Sequence, residues 1–160
     1  MTEWNSLFAA TAGASATLTG LLFVGVSINL TKVLSTAALP KRALVSIILL
    51  LMILVFSILV LMPGQTFTAL GIRILALSVI AWIILLVIDF RKVGQLPKEF
   101  KKHYISNVVL DQTAVLFYLI SAIVIIAEGE RGLYYFVAAI LFSFVKAIID
   151  AWVLLVEINR

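Results

Sequence analysis

The sequence predicts an all-α fold, a polytopic transmembrane helix bundle with five spans, its N-terminus outside and its C-terminus in the cytoplasm. Composition is the first ground: of 160 residues 64% are hydrophobic and 12% charged, about half the charge of an ordinary soluble domain. A chain this short has too high a surface-to-volume ratio to hide that much apolar surface from water. Spacing is the second: the charges punctuate the chain and leave apolar runs of about 20 residues, the length that crosses a hydrocarbon core. The third is backbone chemistry. In lipid only helices and closed barrels satisfy every peptide group, and these runs lack the alternating polarity of barrel strands.

Taken in order, no charge lies between Glu3 and Lys32, which sets a first span at residues 6–31. None lies between Arg42 and Arg73 either, but Pro63-Gly64 is a strong turn signal and divides that stretch into spans at 43–62 and 67–90. Arg73 stands near the outer end of the third span, where a long side chain can anchor at the headgroups. A basic loop follows at 94–103, then a fourth span at 105–127. The polar turn Glu128-Gly129-Glu130-Arg131-Gly132 leads into a fifth span at 133–157. Residues 1–160 are thus expected to form a single transmembrane domain.

Orientation follows from the cations. Five crossings put Lys32, Lys41, Arg42, Arg91, Lys92, Lys98, Lys101, Lys102 and Arg160 on one side and only Arg73 and Arg131 on the other. Positive residues collect on the cytoplasmic side, which fixes the orientation. Interfacial aromatics agree, with Trp4, Tyr134 and Tyr135 outside and Tyr104 and Trp152 inside. A cleavable signal peptide is not expected, because Met1-Thr2-Glu3-Trp4 is no basic n-region and the first apolar run is too long. The absence of cysteine excludes a disulfide framework and thiolate chemistry.

Two features could carry function. In the first span Ser6, Ala9, Gly13, Thr17, Gly20, Val24, Ser27 and Thr31 recur at steps of three and four and form one helical stripe. Small residues let helix backbones approach, and hydroxyls can bond across the contact. The stripe, with Gly13, Thr17, Gly20 and Ser27 at its centre, therefore predicts either a tightly packed internal helix or the lining of a pore. The second feature is a polar set toward the cytoplasmic ends, Asn29, Asp89, Asp111, Lys146 and Asp150. Charges within a membrane face protein, water or each other. Lys146 and Asp150 stand four apart and can pair, or Lys146 can snorkel to the inner interface.

Other chemistry finds little support. There is no His-Glu-x-x-His helix, no nucleophile elbow and no phosphate-cradling glycine loop, so the chain is not expected to be an enzyme. His103 has no plausible metal partner, and neither a metal nor a cofactor is expected. The loop cations suit anionic lipid rather than nucleic acid.

The stretch AGASATLTGLLFVGVSINL, residues 12–30, resembles the first helix of a group of small bacterial multispan proteins, some loosely labelled modulator of FtsH protease. That resemblance implies a bacterial inner-membrane location and carries no site residue. The expected partners are the lipid bilayer, further copies of the chain and another membrane protein. The leading functional expectation is a small homo-oligomeric ion channel with cations slightly favoured. The rival is a non-catalytic modulator acting through helix contacts, and proton-coupled transport through Asp111 or Asp150 comes third.

Overall fold

The structure is a computed structural model describing the backbone of residues 2–35, 39–93 and 98–158, and the side chains of 4–35, 39–89 and 105–156. All regular structure among the described residues is helical. The long helices are α1 (Thr2–Ile28), α3 (Leu39–Leu61), α4 (Phe67–Val93), α5 (Lys98–Glu128) and α6 (Gly132–Ile158). A short α2 (Leu30–Ser35) follows α1, and a 3-10 turn (Gly129–Arg131) joins α5 to α6. Four stretches are long and apolar enough to cross a membrane: Trp4–Ile28, Leu39–Leu61, Phe67–Asp89 and Ile105–Val156, the last being 52 residues with the 3-10 turn inside it.

The boundaries have local causes. Asn29 interrupts the first helix, its side-chain amide donating to the Gly25 carbonyl at 3.1 Å, where it competes with the backbone for that acceptor. The expected first span of 6–31 therefore becomes two helices. Gly64 takes φ +72° after Pro63, a left-handed conformation that glycine adopts without a Cβ clash. Thr66 then caps α4, its hydroxyl accepting from the Ala69 amide at 3.2 Å. Helix α5 begins at Lys98 rather than 105. Its first residues, Lys-Glu-Phe-Lys-Lys, are mostly strong helix formers, and charge bars them from hydrocarbon without barring them from a helix. The remainder of the expected loop, 94–97, lies outside the described residues.

The chain groups into two compact units, Met1–Gly64 with Ile140–Arg160, and Gln65–Ala139. In the first, α1 and α2 pack on α3, with Phe8, Leu49, Ile53 and Phe56 fully or almost fully buried. In the second, α4 packs on α5. Their close approach depends on Gly71, where a Cβ would fall 2.5 Å from Ile126 Cγ1 and 3.0 Å from the Ala122 carbonyl oxygen. Apolar burial alone drives helix association weakly in lipid, so such small-residue contacts and polar bonds fix the packing.

Candidate functional site

Helix α1 has two opposite faces. Phe8, Ser15 and Leu22 are buried and recur every seventh residue, on a line about 180° around the helix from Ser6, Thr17 and Val24. Ser15 donates its hydroxyl hydrogen to the Leu50 carbonyl on α3 at 2.5 Å. Every stripe residue, Ser6, Ala9, Gly13, Thr17, Gly20, Val24, Ser27 and Thr31, is exposed. A Cβ added at Gly13 or Gly20 would meet nothing within 4 Å. Within the chain the small residues face outward, and the Phe8–Ser15–Leu22 line does the packing on α3.

Two hydroxyls on that outward face, Thr17 and Ser27, share one arrangement. Thr17 donates to the Gly13 carbonyl at 2.9 Å and Ser27 to the Phe23 carbonyl at 2.8 Å. With each hydrogen committed to its own helix, the oxygen lone pairs remain for whatever approaches.

Lys41, Asp89, Asp111, Lys146 and Asp150 lie inside their units. In the first, Lys146 and Asp150 form an ion pair on one face of α6, 5% and 4% exposed. Lys146 thus meets its carboxylate partner inside the unit. Lys41 is buried too, and the buried hydroxyls of Ser57 and Ser143 have no hydrogen-bond partner. In the second unit Asp111, on α5, is 2% exposed. Beside it in sequence, Gln112 donates to Asp89 on α4 at 2.8 Å, a polar bond between two helices. Asn29 is half-buried at the α1 break, with its amide turned back on Gly25.

No family model, curated protein or solved structure matches this chain. Its chemistry is read from its own residues. Among the described residues no three His, Cys, Asp or Glu side chains come together to hold a metal ion. The side chains of 98–104, including His103 and Tyr104, lie outside the described residues. Arg73 is exposed on α4 and donates to Gln65 at 3.2 Å, an arrangement suited to an anchor at a helix end.

Sequence reasoning did not single out Ser15 as the α1–α3 bond or Gln112 as the partner of Asp89. Ser15 falls midway between Phe8 and Leu22 on a seven-residue repeat, a pattern that does not by itself show which face meets α3. The eye goes instead to the glycines on the other face. Gln112 required knowing that α4 and α5 pair, which no local signal gives.

Proposed function

We propose that the protein is a small homo-oligomeric ion channel in which α1 lies at the junction between copies and contributes to the pathway. The observation that carries this reading is a contrast among exposed faces. Helix α3 exposes Leu44, Leu51, Val55 and Ile58, and α4 exposes Ile72, Ile80, Ile83 and Ile84. Along residues 4–20 of α1 the exposed side chains are Ala, Gly, Ser, Thr and Asn, with Leu7 the one large apolar exception. Large apolar side chains suit lipid, whereas a face of small ones suits the close approach of another helix.

Cation preference rests on the back-bonded hydroxyls. Thr17 and Ser27 offer oxygen lone pairs and no free hydrogen, which favours a cation over an anion. In this reading five helices cross, the N-terminus lies outside and the C-terminus lies in the cytoplasm. The folded-back α5–α6 hairpin and the asymmetry of Lys and Arg support that topology. A bacterial inner-membrane location belongs to the same reading and rests on the resemblance of residues 12–30.

The test is ion flux through purified protein in liposomes under a K⁺ or Cl⁻ gradient, with empty liposomes as control. K⁺ flux that falls in Thr17→Val and Gly13→Leu upholds the channel. Absence of flux at every pH and voltage, in folded and oligomeric protein, transfers the stripe to the modulator reading, where it seats a helix of a different membrane protein. The burial of Asp111 and Asp150 favours one further alternative, proton-coupled transport. Its mark would be uptake driven by a pH gradient and lost in Asp111→Asn or Asp150→Asn.

A further inference from the structure

Helix α1 lies on α3 along Phe8, Ser15 and Leu22, and these three residues hold it in different ways. Phe8 and Leu22 contribute apolar surface, which lipid accepts as readily as another helix does. Leu7, Leu21 and Phe23, all exposed on α1, are of the same kind, so apolarity alone does not choose the side that meets α3. Ser15 does something else. Fully buried, it sends its hydroxyl hydrogen out of its own helix to the Leu50 carbonyl at 2.5 Å.

The neighbouring hydroxyls stay at home. Thr11, Thr17, Thr19 and Ser27 each donate to the carbonyl four residues back in α1, bonds that turn with the helix and constrain nothing outside it. The Leu50 carbonyl belongs to the backbone of α3 and cannot swing to follow a rotating partner, and a hydrogen bond weakens steeply once bent. A turn of α1 by one residue's angle, about 100°, would break this bond. In one direction it would bring Leu7 and Leu18 to the side where Gly13 and Thr17 stand, and bulky side chains there keep a second helix at a distance.

We propose that Ser15 is a positioning residue. Through the Leu50 carbonyl it sets the rotation of α1, and so makes the small-residue face, not a leucine face, the one offered to the next copy. That last step rests on the channel reading, whereas the rotation itself does not.

The test reads rotation directly. Ala12 and Leu18 stand three residues to either side of Ser15, about 60° around the helix from it in opposite directions, and both are half-buried. In a chain without cysteine, Ala12→Cys or Leu18→Cys carries a single nitroxide, whose collisions with oxygen dissolved in the bilayer measure its exposure to lipid. Ser15→Ala should raise one collision rate and lower the other, changing their ratio by about threefold, the factor carried by an average interhelical hydrogen bond in a membrane. Thr17→Cys should form a disulfide between copies, in lower yield when combined with Ser15→Ala. Collision rates unaffected by Ser15→Ala overturn the proposal, since packing alone would then set the rotation. Two rates that rise together overturn it as well, because α1 would have left α3 instead of turning on it. Opposite shifts without any Thr17→Cys disulfide uphold the role of Ser15 and count against the oligomer instead.

Discussion

Tyr118 and Phe136 meet edge-on, with ring centroids 5.7 Å apart and planes inclined at 67°. Both are fully buried, one on each side of the Gly129–Arg131 turn. An unbroken helix would hold residues so far apart in sequence at about 27 Å, so this contact requires the chain to fold back. The 52-residue apolar stretch is therefore a helical hairpin. Gly129, with φ +63°, supplies the left-handed residue at the reversal.

The hairpin depends on glycine a second time. A Cβ at Gly132 would lie 2.4 Å from the Ile125 backbone nitrogen, which cannot move aside as a flexible side chain could. Gly132→Val should therefore destabilise the protein by about 2 kcal/mol, within the usual range for overpacking. The measurement is thermal unfolding in a mild detergent. Unchanged stability would mean that α5 and α6 do not pack this closely.

If the hairpin adds a crossing, the turn after α3 and the turn after α5 share one side of the membrane. The chain has no cysteine, so single cysteines report cleanly. Gln65→Cys and Glu130→Cys should react with an impermeant maleimide from the outside of intact cells, and Lys32→Cys only after permeabilisation. Labelling of Gln65→Cys and Glu130→Cys from opposite sides would remove the five-crossing topology.

The helices were legible because charge in a membrane protein is punctuation: Glu3, Lys32, Arg42 and Glu128 mark ends that the structure keeps within a few residues. The break at Asn29 was less so, since one side-chain bond to Gly25 decides it. Orientation of the α1 faces was not legible. Composition marks Gly13 and Gly20 as suited to close packing, yet which face meets α3 depends on the partner surface. There Ser15 finds the Leu50 carbonyl and Phe8 is buried. The ion pair on α6 could be foreseen from its i, i+4 spacing, but its depth inside the unit could not.

The outward stripe lets stability and the proposed assembly be tested separately. Nothing stands within 4 Å of a Cβ at Gly13, so Gly13→Leu should change protomer stability by no more than about 0.5 kcal/mol, as for other exposed sites. On the proposed homo-oligomer, it should nonetheless shift the mass found by light scattering in mild detergent from oligomer to protomer. Gly71→Leu should behave oppositely, because its Cβ collides with Ile126 and the Ala122 carbonyl inside the second unit. It should lose about 1–3 kcal/mol of stability. An oligomer that survives Gly13→Leu and Gly20→Leu together would exclude α1 from the junction between copies.

The Lys146–Asp150 pair makes the last prediction. Both side chains are buried, so removing one partner leaves the other charge without its counter-ion, at a cost of roughly 3–5 kcal/mol for buried pairs. Asp150→Asn and Lys146→Met should each destabilise the protein strongly. Lys146→Met with Asp150→Leu removes both charges and retains apolar bulk, and such replacements are often neutral or stabilising. The double variant should therefore recover most of the stability lost by either single change. Thermal unfolding of all four proteins closes a double-mutant cycle, which isolates the pair's coupling. A double variant no more stable than the worse single variant would mean that each charge has a separate buried partner, and that the pair is not the unit holding this part of α6.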